Sequence, residues 1–241
     1  MTNIERAAST IVAARRARVQ IPALSGELAP ASFDQAYAIQ DASMRLLGQL
    51  GGWKLAIGAG LSCSPMPAQV ILPTPAKHLA DRPYKIEAEI GIMISKDLDE
   101  QQSASTIRAA IASIHPAIEL VLSRFAGQAP KEQGLADCQS NEAVVVGKAI
   151  EAWASSDPAS AEMALSIDGE TVASNSDAVS LEVLLAPLAW LANHARARGM
   201  PLRKGHFIIT GARLKAPAPG EPCSVSVEVG GHGQAVALEF V

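Results

Sequence analysis

Cysteine, excess positive charge and long apolar runs are all scarce in this chain, and each shortage removes a class of function. Only Cys63, Cys138 and Cys223 are present. They are odd in number, far apart and never in a CxxC spacing, so neither a zinc site nor a disulfide framework is indicated. Three reduced thiols suit a cytoplasmic protein. Lys and Arg total 20 against 24 Asp and Glu, a formal charge of −4. Such a chain lacks the electrostatic footprint of a nucleic-acid or anionic-membrane binder. No apolar run approaches the ~18 residues that span a bilayer, and the mean hydropathy is only +0.17. The opening MTNIERAAS has Glu5 and Arg6 inside its first apolar stretch, unlike a secretory signal. The expectation is a soluble cytoplasmic protein with no nucleic-acid partner and no membrane association.

Apolar residues make up 49% of the 241 and charged residues 18%. That composition supports a sizeable core and excludes a disordered chain. Residues 3–18 carry Ile4, Ala7, Ala8, Ile11 and Val12 at helical spacing, with Arg15, Arg16 and Arg18 as a solvated, dipole-compatible end. Ser32 with Gln35 forms a capping-box pattern for a second helix, closed by Gly48. After Gly51-Gly52 the character changes. Strands are expected at 53–57, 84–96, 117–123, 143–147, 163–167 and 171–173, with Asp168-Gly169-Glu170 as a hairpin turn. Residues 58–77, rich in Gly, Ser and Pro, read as an irregular loop. Helices are expected at 103–114 and 180–198, the second kinked or restarted at Pro187. Strands at 206–210, 224–229 and 234–240 close the chain. No regular βαβ alternation occurs, so a doubly wound sheet is not expected. The class is α+β: a helical N-terminal portion over 1–50, and a β-rich body over 51–241 forming one compact unit.

The segment 86–94 reads IEAEIGIMI. On a strand, Ile86, Ala88, Ile90, Ile92 and Ile94 share one apolar face. Glu87, Glu89, Gly91 and Met93 share the other, with successive Cα atoms about 7 Å apart. Two carboxylates pointing the same way either face water and cross-strand lysines or bind one cation between them. Gly91 leaves space on that face for a ligand. A third acid, Glu119, is the only charge in the apolar run Pro116–Leu122, and such a residue is rarely buried without a partner. Three carboxylates without His or Cys form an all-oxygen set suited to Mg²⁺ or Mn²⁺ and not to zinc.

Glu87-x-Glu89 followed by Glu119 in HPAIELVLSR resembles the fumarylacetoacetate hydrolase superfamily, and within it the 2-keto-4-pentenoate hydratase and 4-oxalocrotonate decarboxylase branch. AYAIQ at 36–40, GWKLAIG at 52–58, LADCQSNEAVVVG at 135–147, the stretch 186–212 and GGHGQAVALEF at 230–240 match in the same order. The resemblance implies a fumarylacetoacetate-hydrolase-like mixed β-sheet body and assembly as a homo-oligomer. It also implies Glu87, Glu89 and Glu119 as metal ligands and Lys54 as the active-site lysine. The substrate would be a small unsaturated 2-keto acid, chelated through its carboxylate and keto oxygens while the metal stabilises an enolate. Hydration and decarboxylation both use that enolate. The implied role is a Mg²⁺-dependent hydro-lyase of aromatic-compound catabolism. Decarboxylase, carbon–carbon hydrolase or tautomerase, and non-catalytic homologue are the alternatives.

The chain departs from the family pattern at three places. Pro73-Thr74-Pro75-Ala76 has no carboxylate where the family has an acid. Cys138 replaces an amide, and Ala212 replaces a hydroxyl residue. His78 and His115 are the candidates for a substitute proton-transfer group, each equally readable as structural. Arg124 reads either as a partner for a substrate carboxylate or as a structural ion-pair residue.

Overall fold

The computed structural model describes residues 1–58, 60–150, 153–154, 157–175, 179–230 and 234–241. Residues 231–233 of the closing motif lie outside the described residues. Two helices, α1 (Asn3–Ala17) and α2 (Phe33–Leu47), come first. Strands β1 (Leu50–Ala56), β2 (Ser62–Pro67), β3 (Ile71–Pro73), β4 (Ala76–His78) and β5 (Lys85–Ile94) follow. Next come α3 (Ala104–Arg108), β6 (Ile111–Val121), α4 (Lys131–Ala136), β7 (Asn141–Val146), β8 (Met163–Ile167) and β9 (Glu170–Asn175). The chain ends with α5 (Leu181–Ala197), β10 (Phe207–Ile209), β11 (Leu214–Pro217), β12 (Cys223–Val229) and β13 (Gln234–Phe240).

An eight-stranded mixed sheet runs β2-β1-β10-β5-β6-β7-β3, with β11 also paired to β5. A five-stranded sheet runs β4-β13-β12-β8-β9. Its inward residues, including Leu165, Val225, Val227, Val236 and Leu238, meet the isoleucine face of β5 and β6 in one buried cluster. Helix α5 adds Leu184, Leu188, Leu191 and Ala195 to that cluster. On the opposite face of the large sheet a smaller cluster collects Met66, Ala117, Val144, Phe207 and Ile209. Helices α1, α2 and α4 bury Ile11, Ile39, Leu135 and Phe125 together in a third. The architecture is the expected α+β arrangement, with mixed sheets and N-terminal helices.

Several local expectations hold for visible reasons. Ser32 caps α2 by accepting from the Gln35 amide at 3.3 Å. Gln35 Oε1, however, accepts from the Ala31 amide, so the capping box is not closed on Ser32. Asp168 (φ 49°) and Gly169 (φ 82°) turn the β8–β9 hairpin with two positive φ values, as a type I′ turn requires. The restart considered at Pro187 does not occur: α5 runs through it as one continuous helix.

Other expectations are corrected. Residues 58–77 contain three strands, β2, β3 and β4. Strands β2 and β3 lie at the two ends of the large sheet and β4 at an end of the small one. An end strand tolerates Pro because a missing amide costs no ladder bond on its open side. The helix expected over 103–114 is only α3, and Ile111 already belongs to β6, where it pairs with Ile94. Strand β11 was not anticipated. The arginines ending α1 are not solvated as a group: Arg15 donates to the carbonyls of Asn141 (2.8 Å) and Glu142 (2.7 Å).

The space at Gly91 is filled from within the protein. A Cβ built there would lie 1.9 Å from Phe207 Cζ, and Phe207 is 1% exposed. Glycine is therefore required by the Phe207 ring and not by a ligand. Gly91→Ala is expected to cost about 1–3 kcal/mol through overpacking, read as a lower urea midpoint at unchanged slope. An unchanged midpoint would show that the ring has room to move.

Candidate metal centre

The pairing of β5 with β6 sets the site. Glu87 stands directly opposite Glu119, Glu89 opposite Ala117 and Gly91 opposite His115. Directly opposed residues share a face, so all three glutamates project from the outer side of the large sheet. β1 reaches the same place through β10: Lys54 pairs with Ile209, which pairs with Gly91. One ligand oxygen from each of Glu87, Glu89 and Glu119 can be chosen so that all lie within 4.8 Å of one another. Glu89 and Glu119 are 0% exposed and Glu87 8%. The water-facing reading of the glutamates is thereby set aside.

Few partners compensate these buried acids. Lys54 Nζ lies 2.7 Å from Glu119 Oε2 and 3.7 Å from Glu87 Oε2. It also donates to the Gln139 carbonyl at 3.4 Å. Asn141 Nδ2 donates to Glu119 Oε1 at 2.9 Å, and the Gly211 amide donates to Glu89 Oε2 at 2.7 Å. Lys215 Nζ lies 2.8 Å from Glu87 Oε1. Glu89 Oε1 is buried with no hydrogen-bond partner among the described residues.

Protonation follows this geometry. Burial pushes the Glu89 carboxyl well above the ordinary glutamate range, and the neighbouring Glu119 charge pushes the same way. Burial also raises Glu119, against the opposing pull of Lys54 and Asn141. At Glu87 burial acts upward, but Lys54 and Lys215 outweigh it and hold the group low. Burial alone would depress the Lys54 ammonium; Glu119, Glu89 and Glu87 overcome that and hold it above the usual lysine value. Without a metal ion Lys54 is thus a cation at neutral pH.

The centre fits a hard divalent cation. Its donors are all oxygen, three carboxylates converge within reach of one ion, and Glu89 Oε1 has neither a hydrogen bond nor an ion pair among the described residues.

The turn between α4 and β7 holds the ligands in place, and sequence reasoning did not anticipate its role. Cys138, Gln139 and Ser140 have φ values of 50°, 53° and 61°, three successive left-handed residues without a glycine. Each costs of order 1 kcal/mol or more, so surrounding contacts must impose them. Arg124 is 1% exposed and supplies several: Nε to Asp137 Oδ1 (2.6 Å), Nη1 to the Asn141 carbonyl (3.1 Å) and to Glu142 Oε2 (2.8 Å). Arg82 closes on Glu142 at 2.7 Å. Of the two readings of Arg124, the structural ion pair is the one observed. The clamp aims the Gln139 carbonyl at Lys54 and the Asn141 amide at Glu119.

The remaining sequence candidates lie outside the centre. His115 has its Nε2 2.8 Å from Ser113 Oγ and its Nδ1 2.9 Å from the Gly147 carbonyl. His78 sits in the small sheet against Tyr84 and Phe240. Thr74 Oγ1 accepts from the Ala237 amide at 2.9 Å and so ties the 73–76 segment to β13. Cys138 is buried, which pushes its thiol up to about 11 and keeps it protonated at neutral pH. A cleft of about 670 Å³ farther along the large sheet, bordered by Leu50, Ile71, Met93 and Phe207, contains none of the carboxylates.

A family model for the fumarylacetoacetate (FAA) hydrolase C-terminal region matches residues 57–237. A 2-keto-4-pentenoate hydratase of Paraburkholderia xenovorans is 35% identical over 141 residues, 57% of this chain and 52% of that protein. The matched region is thus about half the length of that relative. The 2-keto-4-pentenoate hydratase 2 of Dechloromonas aromatica is 28% identical over 97% of this chain and 96% of its own. A solved structure of 4-oxalocrotonate decarboxylase from Pseudomonas putida, complexed with magnesium and adipate, superposes with a TM-score of 0.84. It is 21% identical, covering 99% of this chain and 97% of that one. No described helix is long and apolar enough to cross a membrane.

Proposed function

Because this chain belongs to the fumarylacetoacetate hydrolase family, we propose that it is a divalent-metal-dependent hydro-lyase adding water to a small unsaturated 2-keto acid. The observation that carries this reading is the buried convergence of Glu87, Glu89 and Glu119, with Glu89 Oε1 unpartnered among the described residues. Two hydratases among its relatives support the reaction class. The magnesium and adipate in the decarboxylase that shares its fold support an ion beside a carboxylic acid.

The three glutamates would hold Mg²⁺ or Mn²⁺, whose Lewis acidity stabilises the enolate of a chelated 2-keto acid. The protein's own groups orient that centre. The Gly211 amide fixes Glu89, Asn141 fixes Glu119, and Lys54 keeps a positive charge beside both Glu119 and Glu87. Lys54, beside Glu119, would bind a substrate carboxylate or orient water. Burial of the carboxylates excludes bulk solvent, which strengthens each of these charge interactions.

Thermal unfolding tests the reading before any substrate is known. Metal-stripped protein is compared alone, with Mg²⁺, with oxalate as a planar enolate mimic, and with both. Mg²⁺ and oxalate together are expected to stabilise by about 2.7 kcal/mol at a hundredfold excess over Kd. For a chain of this size that is a rise of roughly 5–10 °C. Absence of any shift would favour the non-catalytic homologue. Once binding is established, release of CO₂ instead of a hydrated product would replace hydration by decarboxylation.

A further inference from the structure

The turn between β10 and β11 carries a cation that the reading above does not use. β10 and β11 both pair with β5, through Gly91–Met93 and Lys85–Ala88 respectively, so the turn joining them passes beside Glu89. Leu214 pairs with Ala88 and enters the core. Arg213 before it and Lys215 after it therefore fall on the carboxylate face.

The Arg213 guanidinium is fastened by one end. Nη1 donates to the carbonyls of Thr210 (3.2 Å) and Gly211, and Nη2 donates to Thr210 Oγ1 at 3.2 Å. Thr210 Oγ1 in turn donates to the Ile90 carbonyl at 2.8 Å, which fixes it as an acceptor for Arg213. These bonds leave the side edge, formed by Nε–H and the second Nη2–H. Nε is buried and has no partner among the described residues. That edge presents two parallel donors in the geometry that matches a carboxylate. A buried donor left unpaired on a cation is costly, so this unpartnered Nε–H suits an anion that arrives with the ligand.

Charge points the same way. Glu87, Glu89 and Glu119 are met by Lys54, Lys215 and Arg213 on one face. A divalent cation there leaves two positive charges uncompensated. A 2-keto monocarboxylate neutralises one of them and a 2-keto dicarboxylate neutralises both.

We propose that Arg213 is a specificity-determining residue that binds a second carboxylate of the substrate, making the substrate class a 2-keto dicarboxylic acid. The inference rests on the metal-centred reading and adds the far end of the substrate to it.

Calorimetric titration of the Mg²⁺-loaded protein tests it. The probes are oxalate, unbranched 2-oxo diacids of five, six and seven carbons, and the 2-oxo monoacids of the same lengths. At least one diacid is expected to bind about tenfold or more tighter than its matched monoacid, the worth of one favourable ion contact. Arg213→Gln is expected to erase that preference and leave oxalate binding intact, with Arg213→Lys restoring part of it. Equal affinities for every diacid and monoacid pair would overturn the proposal, as would a preference surviving in Arg213→Gln. Loss of oxalate binding in both Arg213 variants would also overturn it, by making Arg213 a mere support for the Gly211 turn. Failure of oxalate to bind the wild-type protein would instead overturn the metal-centred reading, and this inference with it.

Discussion

Lys54→Met is expected to lower the stability of the metal-free protein by about 3–5 kcal/mol, the cost of leaving buried charges without their partner. Lys54 is the buried counter-charge of the site, 2.7 Å from Glu119 and 3.7 Å from Glu87, with its side chain only 9% exposed. Lys215 cannot replace it, because its side chain is 68% exposed and its ammonium pairs with Glu87. The carboxylates respond to the loss of Lys54 by holding protons to higher pH, so the cost of the substitution depends on pH. In acid the glutamates are neutral and the deficit is small; as pH rises through their elevated range the deficit grows. The lysine itself adds no slope near neutrality. Its folded-state value is raised, so its contribution is fully present below the ordinary lysine range and is lost only above it. Urea midpoints at about pH 5 and about pH 8 should therefore diverge between variant and wild type. Mg²⁺ should recover more stability in the variant than in the wild type, because the ion supplies the missing positive charge. A deficit that is independent of pH and of Mg²⁺ would mean that Lys54 contributes through packing of its stem alone.

The parts of this site legible in the sequence are those written into single strands. Ile86 to Ile94 alternate without interruption, and that pattern alone places Glu87 and Glu89 on one face. Glu119 stands out because it is the only charge in its run. The reading was weaker wherever composition substitutes for pattern. The prolines and serines of 58–77 read as a loop because Pro weakens an interior strand, but β2 and β3 sit at sheet ends, where that penalty vanishes. Ile107, Ala110, Ile111 and Ile114 satisfy a helical period, but pairing of Ile111 with Ile94 and Ile114 with Ile92 claims the last two for the sheet. Apart from Lys54, groups that orient the ligands were not legible. Asn141 reaches Glu119 across 22 residues and Gly211 reaches Glu89 across 122, and no local spacing encodes such contacts. Arg124 was readable in two ways until the turn at Asp137 placed a carboxylate against its guanidinium. Arg213 had a fainter signal: in Thr210-Gly211-Ala212-Arg213-Leu214-Lys215 two cations flank an apolar residue, the alternation of a strand with one charged face.

Glu89→Gln should stabilise the metal-free protein and abolish its response to metal, two effects of opposite sign from one atom change. Glu89 is wholly buried; its Oε2 accepts from the Gly211 amide at 2.7 Å and its Oε1 has no described partner. The carbonyl of Gln keeps the bond to Gly211. Its amide replaces an unpartnered carboxyl oxygen and cannot ionise beside Glu119. Relief of this kind at a functional site is typically worth about 0.5–2 kcal/mol. Because burial and Glu119 raise the Glu89 carboxyl, the folded protein keeps a proton that the unfolded chain releases. Metal-free wild type therefore loses stability as pH rises above the ordinary glutamate range toward the raised folded value, and Glu89→Gln should not follow that slope. The cost appears when metal is added: one of three anionic ligands is gone, and the joint stabilisation by Mg²⁺ and oxalate should disappear along with turnover. Melting curves across pH, with and without Mg²⁺ and oxalate, read both effects in one experiment. A variant that is less stable without metal yet still stabilised by Mg²⁺ and oxalate would show that Glu89 is a structural acid and that the ion, if bound, rests on Glu87 and Glu119.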